Sequence, residues 1–114
     1  MWFSLGSPVF SPDSRQVYVN AAFGGDDLLI QRVNITNGKR NFVVSGQLYG
    51  IISKGPLQNN LLVSRHTSMK DKNGDIYGGY PFYILTPNGR ILRQIANSTD
   101  WNDRDAKIWL QRQK

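Results

Sequence analysis

The sequence predicts an all-β protein of antiparallel strands, and three observations carry that expectation. The composition favours turns: 11 Gly, 10 Asn and 5 Pro in 114 residues, with eight acidic residues that are all Asp. Helix interiors prefer Ala, Glu, Leu and Lys, whereas turns prefer Gly, Asn, Asp and Pro. Second, short apolar runs alternate with those turn residues, and Asn-Gly steps stand between several of them. Both residues of Asn-Gly accept positive φ and match the twist of paired strands, which makes the step a strong hairpin signal. Third, the chain repeats itself, and periods of 20–50 residues mark arrays of one supersecondary unit. Hydrophobic residues at 39% and aromatics at 11% supply enough apolar surface for a core, which argues against disorder. The length fits one domain of ordinary size, with no cysteine to staple it.

The strands are read in order from the repeat. Phe10-Ser11-Pro12-Asp13-Ser14-Arg15-Gln16-Val17-Tyr18-Val19 lies without a gap on Trp101-Asn102-Asp103-Arg104-Asp105-Ala106-Lys107-Ile108-Trp109-Leu110. Each copy is one aromatic, a polar turn and a short apolar strand. A weaker middle copy runs from Ile52 to Val63, with Gly55, Pro56 and Asn59-Asn60 as its turn chemistry. A second unit, a strand running into Asn-Gly, occurs at Leu28–Arg40 and again at Tyr80–Arg90. The first set of strands is therefore Pro8–Ser11, Gln16–Ala21, Leu28–Asn34 and Asn41–Ser45. The second is Tyr49–Ser53, Asn60–Arg65, Phe82–Thr86 and Ile91–Ala96. A third begins with Thr99–Asn102 and Lys107–Gln111. The spacing is 42 residues from Phe10 to Ile52 and 49 from Ile52 to Trp101, the insert Thr67–Gly79 making the difference. Four short strands per period is the pattern of a β-propeller blade. Residues 7–46, 47–97 and 98–114 would be two blade-like repeats and a partial third within one domain.

The segment 10–19 resembles the aromatic-Ser-Pro-Asp-Gly-Lys core of the TolB-like, WD40-like propeller repeat. A strand with Arg32, then Thr36-Asn37-Gly38 and Arg40, resembles the rest of that repeat, and Asn73-Gly74-Asp75-Ile76-Tyr77 and Pro87-Asn88-Gly89 with Arg93 look like its outer strands. The likeness covers roughly residues 7–111. Ser14 stands where the repeat usually has Gly, the second copy lacks Ser-Pro-Asp, and the third keeps only the spacing. The resemblance implies a non-enzymatic binding or scaffold role, as in periplasmic or secreted bacterial proteins, and it transfers no catalytic residue. Closed propellers have typically 4–8 blades. Two and a half blades imply an incomplete propeller, a piece of a longer chain, a homo-oligomer, or a small antiparallel β-sandwich. The segment Lys107–Leu110, read as a strand, would offer an edge for pairing with Trp2–Leu5 or with a second copy.

The charges and single residues narrow the function classes. Net charge is +6, but the cations are spread, with no run longer than two, which argues against nucleic-acid binding. No stretch of about 20 apolar residues is present, so no membrane span is expected, and the first residues lack the pattern of a signal peptide. Absence of cysteine suits a periplasm or a cytosol equally. His66, the only histidine, has no nucleophile elbow to serve, and no catalytic constellation is read. Asp71-Lys72-Asn73-Gly74-Asp75 alternates oxygen ligands as a calcium loop does, but its Gly is one position early and no Glu follows. It is read as a polar hairpin tip, and Gly24-Gly25-Asp26-Asp27 likewise as a loop. No metal or cofactor is expected. Phe10, Tyr18, Phe42, Phe82, Tyr83, Trp101 and Trp109 sit at repeat positions and are expected in the core. Phe23, Tyr49, Arg65, His66, Tyr77 and Tyr80 are the candidate partner-binding rim, because exposed aromatics with Arg serve as hot spots. The expected partner is a protein. Two other readings are a basic immunity or inhibitor protein that blocks an acidic partner, and the propeller piece of a peptidase.

Overall fold

A computed structural model describes residues 2–23 and 28–113. Ten strands and one helix follow one another: β1 (Trp2–Phe10), β2 (Gln16–Phe23), β3 (Leu28–Asn34), β4 (Arg40–Ser45), β5 (Gln47–Ile51), β6 (Leu61–Ser64), β7 (Thr67–Lys70), β8 (Ile76–Gly79), β9 (Phe82–Leu85), β10 (Ile91–Gln94) and α1 (Asp103–Gln111). They form two four-stranded antiparallel sheets, ordered β1-β2-β3-β4 and β10-β9-β6-β5, plus the separate hairpin β7-β8. The protein is therefore mostly β and antiparallel, with one short helix, and neither sheet closes on itself.

The turns that join the strands explain the motifs. At residues 11–16 the Ser11 hydroxyl donates to Asp13 Oδ1 at 2.6 Å and accepts from the Gln16 N–H at 3.1 Å. The Arg15 N–H also donates to Asp13 Oδ1, at 3.0 Å. Ser-Pro-Asp thus ties its own backbone into a turn. Ser14 sits at φ +61°, which is why a Gly is at home in that position. The fully exposed Asp13 carboxyl is held below its ordinary pKa, first by the Ser11 hydroxyl and then by the Arg15 N–H.

The two sheets stack through one core. Tyr18, Ile30, Val43 and Val44 of the first sheet meet Leu61, Val63, Tyr83 and Leu85 of the second, with Leu48 and Ile51 against them. Side chains alternate across a strand, so the second sheet keeps Leu62, Phe82 and Ile84 for its other face. Those residues are buried too, leaving β6 and β9 covered on both sides. The cover is α1, whose Ala106, Trp109 and Leu110 recur at helical spacing and pack on Leu62 and Phe82. Burying a large apolar side chain stabilises the fold by roughly 1.5–3 kcal/mol. Gly50 allows the approach: a Cβ there would lie 2.7 Å from Leu110 Cδ1.

A turn and this helix replace the expected strands Thr99–Asn102 and Lys107–Gln111. Asn102 caps the helix, accepting the Asp105 N–H at 3.0 Å while the Asp105 carboxylate accepts the Asn102 N–H at 3.1 Å. This reciprocal box satisfies two amides that a helix start leaves free, and Asp103 and Asp105 complement its positive end. Three apolar residues in a row cannot tell a strand from a helix, and the cap and the apolar face of the second sheet decide for the helix. The expected strand edge at 107–110 is therefore absent. Trp2–Leu5 pairs instead with β2, from Trp2 opposite Phe23 to Leu5 opposite Asn20.

A second correction concerns the aromatics. Tyr18, Phe82 and Tyr83 are buried and Trp101 and Trp109 half-buried, but Phe10 is 59% and Phe42 62% exposed. Phe10 pairs across to Val17 and Phe42 to Gln31, on the face of the first sheet that looks away from the second. The alternation along a strand fixes which face an aromatic takes, not whether anything covers that face. Among the described residues no helix is long and apolar enough to cross a membrane.

Candidate functional site

The sequence places Arg65 and His66 where β6 ends, and Tyr80 where the chain re-enters the second sheet before β9. Antiparallel pairing of Ser64 with Phe82 brings these points side by side. The Arg65 N–H donates to the Pro81 carbonyl at 3.2 Å, and the Ser64 hydroxyl donates to the Tyr80 carbonyl at 3.0 Å. The His66 and Tyr80 rings then meet edge to face with centroids 5.4 Å apart. Gly78 leaves space for this pair, since a Cβ there would lie 2.6 Å from His66 Nε2.

The opposite wall is the corner between β4 and β5. Buried Asn20 fixes it from within the first sheet, donating to the Gly46 carbonyl at 3.0 Å and accepting from the Leu48 N–H at 2.9 Å. Gly46 has φ +139°, and a Cβ on it would lie 2.8 Å from Arg65 Cγ. The aliphatic stem of Arg65 therefore packs across a bare backbone corner. Between the walls is an open cleft of about 610 Å3, lined by Leu28, Leu29, Ser45, Gly46, Gln47, Ser64, Arg65, His66 and Tyr80. It offers a guanidinium, an imidazole, a phenol and two leucines around hydroxyl and backbone groups. Such a surface can hold a polar or acidic chain with an apolar neighbour.

The expected rim is therefore divided. Arg65, His66 and Tyr80 line one cleft. Tyr77 lies on the β7-β8 hairpin opposite Met69 and is 48% exposed. Tyr49 is on the far side of the second sheet, its ring 4.7 Å from that of Phe82 and packed beneath α1. Burial raises the Tyr49 phenol pKa, and the neighbouring Asp103 carboxylate adds to the rise. Phe23 ends β2, whose backbone pairing of Ala22 with Leu28 sets it at the cleft end of the sheet. The Phe23 side chain, and the loop Gly24-Gly25-Asp26-Asp27, lie outside the described residues. Leu28, Leu29 and the Asn20-clamped corner were not singled out from sequence. Asn20 carries a signal, a polar residue on the apolar parity of β2 with Tyr18.

A smaller cleft of about 280 Å3 opens at the other end of the sheet interface, among Ser11, Asp13, Tyr18, Arg32, Asn59 and Pro87. Arg32 spans it, donating from Nη1 to the Pro87 carbonyl at 3.2 Å and to Asn88 Oδ1 at 3.1 Å. These bonds hold the two sheets together. In Asp71–Asp75 the Asp71 carboxylate accepts the Asn73 and Asp75 N–H groups at 2.9 and 3.0 Å, so it serves the turn itself. Among the described residues no three His, Cys, Asp or Glu side chains are grouped as metal ligands. No protein-family model, curated protein or solved structure matches the chain.

Proposed function

We propose that this protein is a non-enzymatic binding or scaffold module of propeller-type blades that captures a protein partner in the Arg65–His66–Tyr80 cleft. The observation that carries the reading is the convergence of those three side chains, from two points in the chain, over a corner kept bare by Gly46. Arg and Tyr are over-represented among residues that dominate binding energy. The blade reading draws support from two antiparallel four-stranded units, each formed by consecutive repeat strands and stacked face to face. The resemblance of residues 10–19 to the TolB-like repeat adds a periplasmic or secreted placement and assembly with further blades or a longer chain. The net charge of +6 favours an acidic partner, which also fits the second reading of an inhibitor or immunity protein.

Random-peptide display on the wild-type protein, counter-selected on the Arg65→Ala/Tyr80→Ala variant, tests the cleft. Tyr80 is 61% exposed and Arg65 half-buried, so the variant should keep the wild-type circular dichroism. Selected peptides should be acidic and should lose affinity at least about tenfold on the variant. Peptides that bind both proteins equally would remove the cleft from the binding surface.

A further inference from the structure

We propose that the outer face of the first sheet is a second docking surface, separate from the cleft, which takes an acidic amphipathic helix of another protein. The register puts Phe10, Val17, Val33 and Arg40 in one row of that face, and Val19, Gln31 and Phe42 in the next. Phe10 and Phe42 stand 59% and 62% exposed on opposite edges, with half-buried Val17, Val19 and Val33 and the buried Gln31 as a shallow floor between them. Two large aromatics raised above this floor are the walls of a trough.

The second sheet shows what such a face holds. Its own outer face carries Leu62 and Phe82, and there an amphipathic helix seals it through Ala106, Trp109 and Leu110. The first sheet presents the same kind of surface without a helix on it among the described residues. Strands of seven residues run about 23 Å at roughly 3.3 Å per residue, the length of a helix of about 15 residues at 1.5 Å each.

Charge selects the occupant. Arg40 lies on the face itself, and exposed Arg15 and Lys39 stand at the turns beside it. Asp13, held by Ser11 and the Arg15 N–H, keeps its negative charge, and Arg15, Lys39 and Arg40 outnumber it three to one. A second copy of this chain would bring the same cations against these, whereas a helix with acidic flanks meets them favourably. The occupant is therefore a helix with an apolar stripe bordered by Asp or Glu.

The probe is a synthetic helical peptide of about 18 residues with a Leu/Phe stripe flanked by Glu, paired with a Lys-flanked peptide of the same stripe. Isotope-labelled full-length protein is titrated with each and followed by amide NMR. The Glu-flanked peptide should bind saturably and shift the amides of Val17, Val19, Val33 and Phe42. Phe42→Ser should weaken it at least about tenfold, a Lys39→Ala/Arg40→Ala pair should weaken it and reduce its salt sensitivity, and Arg65→Ala should leave it unchanged. The wild-type footprint stands independently of any variant that fails to fold. Equal binding of the two peptides, shifts confined to the cleft, or no saturable binding would overturn the proposal. So would a wild-type dimer in sedimentation that Phe42→Ser dissociates, which would assign the face to a second copy.

Discussion

Gly89→Ala and Gly74→Ala form a matched pair that isolates how closely the two sheets approach. Both glycines follow Asn in hairpin turns, and their φ angles are +90° and +84°. Either substitution forces an L-residue into left-handed backbone, at a cost of roughly 1–2 kcal/mol. Their surroundings differ. A Cβ at Gly74 meets nothing within 4 Å. A Cβ at Gly89 would overlap the Val43 carbonyl oxygen, with the Val43 carbonyl carbon at 3.1 Å, in a strand of the other sheet. Backbone cannot swing aside as a side-chain tip can, so the first sheet must move or the turn must distort. Forcing extra volume into a packed interface costs about 1–3 kcal/mol. Gly89→Ala should therefore lose about 2–5 kcal/mol in all, and Gly74→Ala only the roughly 1–2 kcal/mol of backbone cost. With a urea dependence of about 2 kcal/mol per molar, the two midpoints should differ by about 1 M. Equilibrium urea unfolding followed by tryptophan fluorescence measures this. Equal midpoints would refute the inter-sheet contact and leave only the shared turn conformation.

Ser98 is 1% exposed, accepts the Phe82 N–H at 2.9 Å and donates to the Ile95 carbonyl at 2.6 Å. Ser98→Ala leaves a buried N–H without its acceptor and should cost about 2–3 kcal/mol in thermal unfolding; a loss below about 0.5 kcal/mol would mean that another group takes its place. Burial raises the Tyr18 phenol above its ordinary value of 10.0, and the nearby Arg32 only partly offsets this. The fold therefore favours the neutral phenol, so this stability is fully present below pH about 10 and is lost as pH rises through the folded-state pKa. Tyr49 acts in the same direction. Tyr18→Phe should flatten the fall in urea midpoint between pH 9 and 11, and an unchanged fall would assign it to other groups.

The all-β class and most of the strands are legible from the residues alone, because the relevant information is local. Asn-Gly turns, Ser-Pro-Asp and short β-branched or aromatic runs act over a few residues, and β2 to β6, β9 and β10 overlap the strands those signals predict, whereas β1 starts at Trp2, six residues before the expected Pro8. Apolar continuity is a further signal. Leu61-Leu62-Val63 and Phe82-Tyr83-Ile84-Leu85 are apolar without alternation, which requires cover on both faces of the second sheet. Asn102 and Asp105 are spaced as a helix cap, and that helix is the cover. Which repeat aromatics are covered depends on the packing of distant segments, since Phe10 and Trp101 hold the same repeat position but only Trp101 packs against Phe82. Tertiary packing likewise separated Tyr49 from Arg65, His66 and Tyr80. A side chain's face follows from the period of two along its strand, but what lies opposite that face is set by segments distant in the chain. The cleft exists because Asn20 clamps Gly46 across 26 residues, a contact that no local pattern encodes.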